Sequence, residues 1–221
     1  MTRLGLEGLL EHHRALGLEG LLEHYRGLGL EVSLLAEDSP ERIETGPLRR
    51  DVGYIRVEGR NFDLVALRYG GASTTTRSSN VLGIPVSART RQKFPIEYHH
   101  IVRRDPSARP RAYKAKLKKR TRGVFRRSLV DVAWRGESLA AALNADAALK
   151  RTLVGCLGPK DSLRSDPDTR NRCVRIVFTR TFKVRAGFGI LTGIGFEVTG
   201  FLPEAALLEA IHGIAERVRL S

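Results

Sequence analysis

An α+β fold, with a mostly antiparallel sheet and helices packed largely on one side, is what this 221-residue chain predicts. Three observations point to it. Short runs that alternate apolar and polar residues recur between turn signals, as half-buried strands do. Helical periodicity is confined to a few stretches and ends in an amphipathic C-terminal helix. The strands and helices follow one another in a mixed order, without the regular strand–helix alternation of a parallel sheet.

The N-terminus holds a tandem repeat: LGLEGLLEHHRA over 4–15, then LGLEGLLEHYRG over 16–27. Twelve residues is too short for a solenoid unit. At about 100° per residue, the second copy would be rotated by ~120° from the first. One straight helix cannot turn both sets of leucines to one core. The second copy is therefore expected to pack through Leu18, Leu21, Leu22 and Tyr25, and to end at Gly27 or Gly29. Residues 1–15 are expected to be a duplicated helical extension that packs poorly.

Residues 30–35 read as a strand. The runs 52–57 and 62–69 read as a hairpin joined by Glu58-Gly59-Arg60-Asn61. Residues 70–80, rich in Ser, Thr and Gly, predict an exposed loop. Residues 82–88 and 95–102 are further strands, and Pro85 predicts an edge position for the first. After the segment 103–127, residues 129–134 alternate as a strand. Residues 138–157 are helical in pattern, with Asp146 as a candidate second N-cap. Asp166-Pro167-Asp168 predicts a loop. Residues 173–182 are the clearest strand, and 188–201 are expected to pair back with it. In the final helix Leu207, Leu208, Ile211, Ile214, Ala215 and Val218 form the stripe, and Pro203 suits its first turn. The expected organisation is one α+β domain over 16–221, with 16–102 and 124–221 as potential subdomains joined by the basic segment 103–123.

Composition narrows the function. Apolar residues make up 42% and charged residues 28%, the balance of a globular chain. Cys156 and Cys173 are too few for a disulfide framework or a four-ligand zinc site, and predict two reduced thiols. Residues 186–202 are the most apolar stretch. They hold Glu197 and five glycines, and they fall short of the ~20 residues a spanning helix needs. With no export signal evident, the expected location is the cytoplasm.

The formal net charge is +14. Residues 1–50 carry 6 basic and 9 acidic groups, whereas 101–150 carry 14 basic and 4 acidic. The excess is local, and it favours a polyanionic partner. Between Arg103 and Arg127 stand twelve Lys and Arg, opposed only by Asp105. Tyr113, Ala115 and Leu117 alternate there with Lys114, Lys116 and Lys118. In a strand, such alternation arrays cations about 6.6 Å apart on one face, a spacing suited to a phosphate backbone. The candidate nucleic-acid contacts are Lys114, Lys116, Lys118, Lys119, Arg120, Arg122, Arg126 and Arg127, with Tyr113 and Phe125 as candidate stacking rings. Arg172, Arg175 and Arg180 would extend the surface if they shared its face.

Other signals are weaker. Gly187, Gly189, Gly193 and Gly195 share one parity, which leaves one face of a strand bare and open to a close neighbour. Their spacing meets neither the dinucleotide nor the P-loop pattern. Glu97 and His99 share a strand face opposite Tyr98 and His100, a pairing that metal binding or proton transfer could use. His12, His13 and His24 are expected at the surface. A helix with Glu23, a strand, and a hairpin with Asp63 resemble the layout of metal-dependent nucleases of the restriction-enzyme type. The next strand, Gly83 to Ala88, lacks the Glu-x-Lys such sites require. No catalytic residue, metal or cofactor is assigned.

The expected function is non-catalytic binding of DNA or RNA through its phosphates. An assembly protein docking an acidic partner is the first alternative. A divalent-metal nuclease using Asp63 with Glu97 or His99 is the second.

Overall fold

The computed structural model describes residues 17–43, 51–71, 73–81, 84–123, 128–189, 193–199 and 202–221. The first repeat copy, expected to pack poorly, lies outside these residues, as do Phe125, Arg126 and Arg127. The second copy forms helix α1 (17–27), and Leu21, Leu22 and Tyr25 are buried as its stripe predicts.

The strands are β1 (Val32–Leu34), β2 (Gly53–Val57), β3 (Leu64–Tyr69), β4 (Ser73–Val81), β5 (Ile84–Val102), β6 (Ala115–Arg122), β7 (Ser128–Gly136), β8 (Ser162–Asp168), β9 (Cys173–Gly189) and β10 (Gly193–Thr199). The further helices are α2 (Pro110–Tyr113), α3 (Ser138–Ala145), α4 (Ala147–Cys156) and α5 (Ala205–Leu220). All strand pairs are antiparallel, and the sheet order is β1-β2-β3-β5-β9-β8-β6-β7. The class is α+β, as the sequence predicts.

The two faces of the sheet differ. One carries Ile55, Val65, Leu67, Tyr98, Ile176, Phe178, Leu117 and Trp134, packed against α1, α3, α4 and α5 in the main core. The other carries no helix among the described residues. Near β2 and β3 it holds a small apolar cluster of Tyr54, Leu64, Ala66, Ile101 and Cys173, with Leu35 and Ile43 packed on it. Both cysteines are free and buried.

β5 and β9 are the spine. They pair without a register shift from Ser87↔Gly189 to Val102↔Val174. Their inner halves are flanked by β3 and β8, and their outer halves by β4 and β10, so a four-stranded arm continues the central sheet. Residues 70–80, read as a loop from their Ser/Thr content, mostly belong to β4. The β-branched run Thr74-Thr75-Thr76 favours that strand. The segments read as separate strands over 82–88 and 95–102 are one strand, β5. Pro85 stands beyond the last β5–β9 pair, beside the irregularity at Asn80 in β4, so no ladder bond to β9 is lost there. Pro95 falls where β5 changes partner from β4 to β3. Its carbonyl accepts from Gly70 N at 2.8 Å on that side. The missing N–H faces the same junction, so the ladder to β9 is intact and only the reciprocal bond to Gly70 is forgone. Gly70 is required there, since a Cβ would run into the Pro95 ring.

Asp166-Pro167-Asp168, read as a loop, is the end of β8. β8 pairs with β6 only through Arg164 and Ser165, so Pro167 sits where one edge is open. The helical stretch after β7 breaks as its caps predict: Asp146 N-caps α4 and accepts from Leu149 N at 2.9 Å.

Two buried histidines are expected to make the fold acid-sensitive. His100 is fully buried, 3.3 Å from the Tyr25 hydroxyl and edge-on to Phe62. Burial pushes its pKa down to about 3, and burial lowers that of His99 as well. The unfolded chain therefore takes up these protons first, from about pH 6.5 downward. The histidines' contribution to stability is complete above that pH and is lost as pH falls toward the folded values. Thermal midpoints measured from pH 8 to pH 4 should fall steadily below about pH 6.5. His100→Gln should flatten that slope, and an unchanged slope in the variant would remove His100 from the account.

Candidate nucleic-acid interface

The basic strand β6 follows directly from its alternation. Ala115 and Leu117 are buried in the main core, while Lys116, Lys118, Arg120 and Arg122 are exposed. Lys116 stands opposite Arg164 of β8 and Arg135 of β7. The Arg164 guanidinium bonds Glu97 on the helix-free face, so the β6 cations belong to that face. Lys114, in extended backbone just before the strand, is exposed as well.

Gly136 fixes the base of the β6–β7 hairpin. Its φ is +151°, and a Cβ there would meet the Lys114 carbonyl oxygen and crowd Ala140. Any side chain must push the basic strand away from α3. Gly136→Ala is expected to cost about 2 kcal/mol, measured as a lowered urea midpoint with an unchanged m-value.

Two sequence-predicted contacts are not available. Tyr113 ends α2 with its ring buried in the main core, and its hydroxyl accepts from Arg104 Nε at 3.2 Å. It cannot stack on a base. Lys119 has the same parity as Ala115 and Leu117, and so turns to the core side of the sheet. Its ammonium donates to the carbonyls of Gly158 (3.2 Å), Pro159 (2.7 Å) and Asp161, closing the turn before β8. Burial there lowers its pKa.

The remaining five, Lys114, Lys116, Lys118, Arg120 and Arg122, pair with no carboxylate among the described residues. Asp131 stands opposite Arg120 in register, but its carboxylate accepts from Val132 N at 2.9 Å. Several arginines elsewhere pair with acids, whereas Arg104, Arg109, Arg111, Lys150, Arg151 and Lys160 also have no carboxylate partner among the described residues. Arg56 and Arg103 pair with Glu41, Arg60 with Glu209, Arg217 with Asp146, and Arg219 with Asp63.

The arginines considered as an extension are also engaged. Arg175 is buried between Asp51 (3.4 Å) and Asp168 (3.0 Å), and Arg180 bonds Asp161 at 2.7 Å. Arg172 sits at φ 48° in the turn before β9, with Asp105 3.8 Å away.

The helix-free face also holds a partly buried polar network. Asp51 accepts from Arg68 (2.6 and 2.9 Å) and from the Tyr54 hydroxyl (2.5 Å). Glu97 accepts from His99 Nε2 at 3.0 Å and from Arg164 at 3.3 Å. The His99 hydrogen bond comes first among the causes that hold the Glu97 pKa down at about 2. His99 Nδ1 is buried without a partner among the described residues.

The carboxylates considered for a metal do not converge. Asp63 leads into β3 and accepts from Arg103 N and Arg219, whereas Glu97 lies opposite Arg68, five residues further along β3. Five strand residues span about 17 Å. No group of three or more His, Cys, Asp or Glu that could hold a metal occurs among the described residues. His24, expected at the surface, is half-buried and bonds the Pro203 carbonyl at 2.8 Å. His212 accepts from Asn61 N at 3.1 Å. His12 and His13 lie outside the described residues.

Arg135 and Arg164 share the helix-free face with the β6 cations. Sequence reasoning missed them because their place depends on strand register rather than on local pattern. Among the described residues, no helix is long and apolar enough to cross a membrane. Compared with known protein families, with curated proteins and with solved structures, the chain matches none.

Proposed function

We propose that the protein binds nucleic acid through its phosphate backbone, without catalysis. The observation that carries this reading is a concentration of charge on one strand face. Five exposed cations stand between Lys114 and Arg122 without a carboxylate partner among the described residues, and Lys116, Lys118, Arg120 and Arg122 share one face of β6. Like charges at alternate positions of one strand repel, and a row of phosphates relieves that repulsion. Contacts of this kind fix orientation without reading bases, so sequence preference should be weak.

Salt dependence tests it. If five phosphates are neutralised, affinity for a labelled duplex should fall roughly five-hundredfold between about 50 and about 200 mM salt. An affinity that does not change over this range would sink the reading.

A further inference from the structure

We propose that the arm formed by β4, β5, β9 and β10 is a second phosphate-gripping element on the same surface, and that the ligand is a duplex rather than a single strand. This inference rests on the nucleic-acid reading above and adds to it.

Register carries the first part. On the arm, Arg91 of β5 stands opposite Arg185 of β9, and Lys93 stands opposite Lys183. Arg77 of β4 stands opposite Arg89 of β5. Like charges placed directly across a ladder destabilise it, and an anion lying over them reverses the sign. The arm strands carry these six cations and one acid, Glu197, opposite Arg185.

Parity then assigns the face. The β5–β9 ladder runs unshifted, so Arg91, Lys93, Lys183 and Arg185 share the parity of Glu97, His99 and Arg175. That is the helix-free face, which Lys116 to Arg122 also occupy. The glycines of the arm fall on it too: Gly187 pairs with Gly195, and Gly189 with Gly193. A floor without side chains beside a cation ladder lets a phosphate backbone approach closely.

Direction joins the two halves. β6 is antiparallel to β8, and β8 to β9, so β6 and β9 run the same way. Lys116 is level with Val177 through Arg164, and from there β6 runs in the direction in which β9 enters the arm. The basic strand thus runs toward the arm's ladder.

Ring placement selects the duplex. Proteins that hold single strands offer aromatic rings for bases to stack on. Among the described strands, Tyr54 is the one aromatic residue at a position of the helix-free face, and it is buried beside Leu35 and Ile43. A face of cations, hydroxyls and glycines suits a backbone whose bases stay paired.

The test uses the full chain with a labelled 25-base-pair duplex and one of its strands, titrated across salt. The variants are Arg91→Gln with Lys93→Gln in the arm, and Lys116→Gln with Lys118→Gln in β6. Both should retain the wild-type thermal midpoint, and each should weaken duplex binding roughly tenfold or more and reduce the log–log salt slope by about 2. Arg91→Lys with Lys93→Arg should keep the slope that the double glutamine variant loses, which separates charge from structure. An arm variant with wild-type slope, beside a β6 variant that loses its own, would overturn the arm's role and leave the binding reading standing. Equal or tighter binding of the single strand would overturn the duplex assignment. No binding of either probe by the wild-type chain would remove both this inference and the reading beneath it.

Discussion

Reversing four charges, Lys116→Glu, Lys118→Glu, Arg120→Glu and Arg122→Glu, is expected to weaken duplex binding by roughly a hundredfold or more at physiological salt. The folded state should survive. All four side chains are exposed and pair with no acid among the described residues, so removing them breaks no internal bond. The thermal midpoint should hold or rise, because crowded like charges are dispersed. Lys119→Ala is the informative contrast. Its ammonium closes the turn at Gly158, Pro159 and Asp161, so its loss should cost about 1–2 kcal/mol of stability and leave the salt slope unchanged. A β6 variant that binds as well as wild type would show that the cations serve only as a solvated edge.

Asp51→Ala is expected to be the most damaging single substitution for stability, costing about 3–5 kcal/mol. The Asp51 side chain is 1% exposed, and those of Arg68 and Arg175 are 14% and 9% exposed. Both guanidiniums and the Tyr54 hydroxyl converge on this one carboxylate. Removing it leaves two largely buried cations facing each other without their shared anion. Asp168 still holds Arg175 at 3.0 Å, so Arg68 bears most of the loss. Asp51→Asn keeps an acceptor for Tyr54 and should cost less than the alanine. Equilibrium urea unfolding measures both, and an alanine variant within 1 kcal/mol of wild type would contradict the assignment.

Much of the fold was legible in the sequence because its strongest signals are local. The stripe of α5, the hairpin of β2 and β3, and the Asp146 cap depend on neighbours within a few residues. The misreadings share a cause. Residues 70–80 were judged by composition, but Thr74 to Thr76 pair with Gln92 to Thr90 of the next strand. Pro85 was read as the mark of an edge strand, Pro95 as the start of a separate strand, and Pro167 as part of a loop. Each falls where one flank of its strand lacks or changes a partner, and only the complete sheet reveals that.

The candidate surface was partly legible. Alternation alone identified Lys116 and Lys118. It also contained the correction to Lys119, whose odd number allies it with Leu117 rather than with the exposed row. Tyr113 was misplaced because α2, a single turn ahead of β6, carries the ring to the helix side. Arg91 and Lys93 were invisible as part of a surface, since their neighbours Arg185 and Lys183 are some ninety residues away along the chain.

The unbroken ladder between β5 and β9 has a consequence for assembly during synthesis. It joins positions 72 to 102 residues apart, from Val102↔Val174 to Ser87↔Gly189. When β5 leaves the ribosome it can zip only onto β3 and β4, and its other flank waits for a partner not yet made. Such delayed closure is slow, and it leaves hydrogen-bonding groups unguarded meanwhile. The nascent chain must remain incomplete at its own centre until translation has passed residue 189.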